Sequence, residues 1–91
     1  MVKFELDEAK RAQNLKKHGV DLLFAALILE GPFLTKPDHR RDYGELRYIS
    51  LGLVDGLPYV VVHTDRDGMI RLISAWQGGR KDHVKYKEHF P

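Results

Sequence analysis

Three arginines, Arg47, Arg71 and Arg80, and three groups able to carry a proton, His39, Glu45 and His63, are the residues here best suited to chemistry on a phosphodiester. Cleaving RNA without a metal needs a base for the 2′-hydroxyl, positive charge against the pentavalent phosphorane and an acid for the leaving oxygen. Arginine supplies the charge, and histidine or glutamate can supply the proton steps. Each residue also has a plainer reading: Arg47 pairs with Glu45, Arg71 makes an ion pair at a sheet edge, and His63 is a satisfied strand histidine. Other chemistries lack their residues. The five histidines show neither HExxH spacing nor a Cys/His knuckle, so no metal site is expected. Ser50 and Ser74 lie inside strands and not on the sharp turn that exposes a nucleophile. Gly78-Gly79 is too short to cradle a phosphate, and the absence of cysteine excludes disulfides and thiolate chemistry.

These candidates must be positioned by a sheet. YVVVHT and MIRLISA read as two apolar strands joined by the loop DRDG, with YVVVHT near the middle of the sheet because it is apolar on both faces. In MIRLISA the alternation predicts Ile70, Leu72 and Ser74 on one face and Met69, Arg71, Ile73 and Ala75 on the other. Arg71 then sits among apolar neighbours and needs an acid or an anionic ligand. LRYISLGLV alternates Arg47, Ile49, Leu51 and Leu53 against Leu46, Tyr48, Ser50 and Gly52, and Asp55-Gly56 turns it into the following strand. VKFEL predicts a short first strand with Val2, Phe4 and Leu6 on one side. Asp7 caps a helix DEAKRAQNLKKH that Gly19 stops, with Ala9, Ala12 and Leu15 as its apolar stripe and Lys10, Asn14, Lys17 and His18 on its outer side. Asp21 caps a second helix, LLFAALILE, apolar nearly all round, so one side is buried and the other covered by something else. Residues 31–45 read as a polar loop with a brief strand at FLT, and RKDHVKYKEHF as a C-terminal helix. The expected class is α+β: an N-terminal strand and two helices, a central meander in a mostly antiparallel sheet, and a short last helix, with the helices on one face.

Length and charge set the outer bounds. Ninety-one residues suit one domain, 1–91, and 43% hydrophobic with 31% charged residues suits an ordinary soluble globular chain. LLFAALIL falls well short of the roughly 20 apolar residues that span a bilayer, and no signal-peptide pattern is present, so a cytoplasmic location is expected. The net charge of +2 conceals basic clusters at Lys10–His18 and Arg80–His89, which suit a phosphate backbone but are also common as solvated helix faces.

Three motifs in order, FELDEAKRAQNLKKHGV, ELRYISLG and IRLISA, make the sequence resemble the BrnT family, toxins of type II toxin–antitoxin modules with a fold similar to RelE-like ribonucleases. The resemblance covers nearly the whole chain. It implies a bacterial, metal-independent endoribonuclease that needs no cofactor, blocks translation and is neutralised by a BrnA-like antitoxin. Operator DNA would be met only through that antitoxin, and the assembly would be a homodimer or a heterotetramer with it. By motif, His18 belongs to the KHG signature, Glu45 and Arg47 to the ERY-like element and Arg71 to the IRxISA strand.

The expected catalytic set is Arg47, Arg71 and Glu45, which the motifs also carry, with His39 and Arg80 from the residues alone, and Lys10, Lys17, His18, Arg40, Arg41 and Lys81 on the RNA backbone. Two departures from the family shape this expectation. ISAWQGG places Trp76 where an arginine is expected and Gly79 where a helix cap is expected, so Arg80 or Lys81 would have to compensate from the start of the helix. The alternative is a weakened or inactive member that acts as an interaction partner. The apolar stretch Leu22 to Leu29, often acidic in the family, points to a protein interface at Leu23 and Leu27. A plain RNA-binding module is a third reading, without a pair of exposed strand aromatics to mark a stacking platform.

Overall fold

Two Asp-Gly pairs fix the centre of the molecule. Asp55 and Gly56 have φ of 52° and 78°, and Asp67 and Gly68 have 51° and 77°, the left-handed pair that a two-residue hairpin requires. They join β3 (Tyr48–Val54), β4 (Leu57–Arg66) and β5 (Met69–Gln77) into an antiparallel meander in the computed structural model, which describes residues 3–91. The loop expected at DRDG is therefore two residues long, because Asp65 and Arg66 stay paired with Ile70 and Met69. β2 (Leu34–Pro37) extends the brief strand expected at FLT and pairs with β3, while β1 (Phe4–Glu5) pairs with β5 in parallel. Val2 lies outside the described residues. The strand order is β1-β5-β4-β3-β2, which places β4 in the middle, as its unbroken apolar run predicts. Pro37 is tolerated because β2 is an edge strand.

Helix α1 (Glu8–His18) starts at Asp7, whose carboxylate accepts from the Ala9 N–H, and ends at Gly19 in the left-handed region, as expected. Its buried face is not the expected one. Ala9, Ala12 and Leu15 are exposed, and Asn14, assigned to the outer stripe, is buried. The reason is the free edge of β5 beyond its short pairing with β1. The Asn14 carboxamide donates to the Ala75 and Val20 carbonyls and accepts from the Ala75 N–H and the Ser74 hydroxyl, replacing a missing strand partner. An unpaired backbone group costs more than leaving Leu15 in water, so the amide decides the orientation.

The second helix is shorter than expected. α2 (Leu22–Ala25) tightens into a 3-10 segment, Ala26–Glu30, before Gly31-Pro32. Leu22, Ala25, Ala26, Ile28 and Leu29 are buried with Val61, Leu72 and Ala75 of the sheet, while Leu23, Phe24 and Leu27 stay exposed. Gly52 makes this packing possible, since a Cβ there would meet the Ile28 Cβ at 2.6 Å. A register shift between Val62 and His63 leaves Ile73 of β5 unpaired, a bulge that turns Leu72 and Ala75 to the same face and breaks the predicted alternation.

The other face carries Leu51 and Val60, covered by Tyr86 of helix α3 (Arg80–His89) with Trp76 and Phe90. The class is α+β as expected. The helices, however, take both faces and not one, because β4 is apolar on both and each must be shielded from water. No helix is long and apolar enough to cross a membrane among the described residues.

Candidate functional site

On the face that α3 only partly covers, the chain gathers its cations. Register places Arg71 beside Thr64, on the same side as Val62 and Val60. Arg71 is half-buried, and among the described residues no carboxylate lies within ion-pairing distance of it. Glu45 stands nearby with two further arginines. Its Oε2 accepts from Arg47 Nε at 2.9 Å, and Arg66 Nη2 lies 3.7 Å from Oε1. The Arg47 hydrogen bond, aided by the charges of Arg47, Arg66 and Arg71, holds the Glu45 carboxyl below the usual carboxylate range despite some desolvation. The Arg47 guanidinium also lies over the Tyr43 ring, 4.1 Å from its centre. The plainer reading of Arg47 is therefore correct as far as it goes: it does pair with Glu45. His39, Arg41, Glu45 and Arg47 line one open groove of about 380 Å³.

Asp38 forms the wall of that groove. Its side chain is wholly buried, its carboxylate takes Arg40 Nε and Nη2 at 2.9 Å each, and its N–H donates to the Arg47 carbonyl at 2.7 Å. The bidentate Arg40 contact holds the Asp38 carboxyl far below its ordinary value against the cost of burial. Arg40 thus turns into the neighbouring cleft, where its guanidinium lies 5.5 Å from the centre of the Trp76 ring. His18 approaches the same ring at 5.9 Å, tilted by 44°.

The remaining candidates divide between three other surfaces. Lys10, Lys17 and His18 line a small groove with Asn14 and Ser74 at the outer edge of β5. Arg80 and Lys81 line an open groove on α3 with Val84, Lys85 and Glu88, apart from the one that holds Glu45 and Arg47. Asp82 offers α3 the cap that Gly79 cannot, accepting from the Gly79 N–H at 3.0 Å. Leu23 and Leu27 are exposed on the opposite face.

His63 is buried on that opposite face, with Nε2 2.7 Å from the Ser50 hydroxyl, which in turn bonds Thr35, and with no hydrogen-bond partner at Nδ1. Burial lowers its pKa, opposed by the charge of Asp65, and its ring stacks on Tyr48 at 5.7 Å. It shares no groove with Arg47. Sequence reasoning missed Arg66 and Asp38. Asp38 had a local signal, an arginine two residues on that can fold back on it, whereas Arg66 reaches Glu45 only through the register of the sheet.

Fold and cations together define a small α+β protein with a basic, partly open sheet face. The family described as "Ribonuclease toxin, BrnT, of type II toxin-antitoxin system" matches residues 6–82, and the chain belongs to it. That family is described as a ribonuclease toxin, and its type II toxin–antitoxin setting implies an antitoxin partner. The crystal structure of the Brucella abortus ribonuclease toxin BrnT is similar in fold, with a TM-score of 0.63 at 21% identity over 88% of this chain and 100% of that one. No curated protein sequence matches the chain.

Proposed function

We propose that this chain is a metal-independent endoribonuclease that inhibits translation, working in the cytoplasm and held inactive by a BrnA-like antitoxin. The observation that carries this reading is Arg71: a half-buried guanidinium with no acid partner among the described residues, beside the Arg47, Arg66 and Glu45 cluster, suits an anionic ligand. The 2′-oxygen attacks phosphorus and loses its proton to Glu45 or His39. Arg47 and Arg71 stabilise the phosphorane, and the P–O5′ bond breaks as the 5′-oxygen takes the proton back from that base or takes one from water, giving a 2′,3′-cyclic phosphate. Glu45 is ionised and so free to accept, though the arginines that lower its pKa also make it a weaker base, which leaves His39 as the other acceptor. Lys10, Lys17, His18, Arg40, Arg41 and Lys81 hold the backbone on either side, and Arg80 supports from α3.

The test is cleavage of a structured RNA by purified protein in EDTA at low salt, read by fragment ends. Cyclic phosphate ends that vanish in Arg47→Ala and Arg71→Ala are expected. Arg80→Ala should lower activity more than Lys87→Ala, and equal effects remove Arg80 from the site. Intact RNA, also with ribosomes present, would leave a second reading, an interaction protein without turnover. The exposed Leu23, Phe24 and Leu27 favour that surface in either case. Leu23→Asp should weaken antitoxin binding and leave the melting temperature unchanged, and unaltered binding would place the interface elsewhere.

A further inference from the structure

The surroundings of Trp76 give it work of its own. It lines a cleft of about 410 Å³ between α3 and the sheet, whose floor is Leu51 and Val60. Lys36, Arg40, Lys85 and His89 stand around that apolar floor. The cleft's one acid, Asp82, already accepts from the Gly79 N–H. Arg40 is fixed through Nε and Nη2 by the buried Asp38, so Nη1 is left to donate to an anion. An indole on a sheet, ringed by cations and one anchored guanidinium, is the combination that binds a nucleobase by stacking and its phosphate by charge.

We infer that Trp76 is a base-stacking residue of the RNA site, and that the Asp38–Arg40 pair positions the phosphate beside the stacked base. The inference rests on the ribonuclease reading and names a subsite for its substrate. Register sets the scale. Arg71 pairs with Thr64 and Trp76 with Val60, four residues along β4, or roughly 13 Å. The stacked base therefore belongs to a nucleotide flanking the scissile phosphate and not to the bond that is cut. The Asp38–Arg40 wall joins the two sites, since Asp38 lines the groove of Glu45 and Arg47 while Arg40 lines the cleft. Trp76 then supplies base contact where an arginine would supply charge. Binding should accordingly depend less on salt and more on the base.

Trp76 is the chain's single tryptophan, so its fluorescence reports this cleft alone. The probe is a short single-stranded RNA methylated at every 2′-oxygen to prevent cleavage, compared with an abasic strand carrying the same phosphates. Quenching by the base-bearing strand and not by the abasic one is expected. Trp76→Ala should raise the dissociation constant of the base-bearing strand by about 5- to 150-fold and leave the abasic strand unchanged, with Trp76→Phe restoring most of the loss. Equal quenching by both strands, or unchanged affinity in Trp76→Ala, overturns the inference. A fluorescence response to the antitoxin with none to RNA also overturns it, and makes the cleft a protein-docking surface. If Trp76→Ala does not fold, the comparison of the two strands on the native chain decides. Base-dependent quenching without cleavage in the EDTA assay sinks the ribonuclease reading and leaves the subsite. Cleavage without base-dependent quenching does the reverse.

Discussion

The two faces of this sheet are made by alternate residues of the same strands, yet they are finished differently. On one, α2 and the 3-10 segment seal Val61, Leu72 and Ala75 completely, and the polar groups that fall there, Thr35, Ser50 and His63, bond to one another in a chain. On the other, α3 covers Leu51 and Val60 but leaves Arg47, Arg71 and part of Trp76 open. A face that is fully sealed can hold a charge only at great cost, whereas one left half open can keep cations close to apolar surface and within reach of a ligand. The sealed core and the proposed RNA site are thus divided between opposite sides of one layer.

The strongest challenge to that division is Leu72→Ala, expected to cost about 2–5 kcal/mol because a fully buried side chain leaves a cavity under α2. A small shift in the denaturation midpoint would mean that the sealed face is not the source of stability. Arg71→Ala should do the opposite. A loss of roughly 100- to 1,000-fold in cleavage rate with little change in melting is expected, and parallel losses of both would make Arg71 structural. Asn14→Ala tests the seam between the faces, where the freed Ala75 N–H should cost about 1–3 kcal/mol by chemical denaturation.

The smallest effect is the pH dependence of His63. Its folded pKa lies below its ordinary value of 6.5, so the unfolded chain takes up the proton first as the pH falls. Stability is therefore complete above about pH 6.5 and declines as the pH drops toward the lowered folded value. Melting of His63→Gln between pH 7.5 and 5 should show a flatter slope than the native chain, and identical slopes would assign the acid sensitivity elsewhere.

Much of this was legible in the sequence, and the exceptions share a cause. Asp-Gly pairs, helix caps at Asp7 and Asp21 and the apolar run of β4 are local signals, and each marks its element, although the helix after Asp21 is shorter and the DRDG loop tighter than expected. Glu45, Arg47 and Arg71 were also picked from the sequence, and the sheet brings them to one place. The face of α1 was misread because three apolar residues at helical spacing outweighed one asparagine, whose value depends on a backbone edge contributed by Ala75. The bulge at Ile73 has no sequence signature, yet it decides which side Leu72 and Ala75 take. The surroundings of Trp76 were not legible either, because its neighbours Arg40 and His18 come from distant segments.

The bond between Asn14 and Ala75 has one more consequence, which concerns time. The two residues are 61 positions apart, and β1 likewise finds its place only beside β5. The meander closes through two-residue turns and needs little search, while these N-terminal contacts close a loop that spans most of the chain. During synthesis from N- to C-terminus, α1 emerges early and can meet Asp21 and Val20 at once, but Asn14 must wait for β5 before it has the Ala75 backbone to bond. Its basic surface is therefore set against the sheet only once β5 has been made, so a toxin of this build has no finished basic face until its meander is in place.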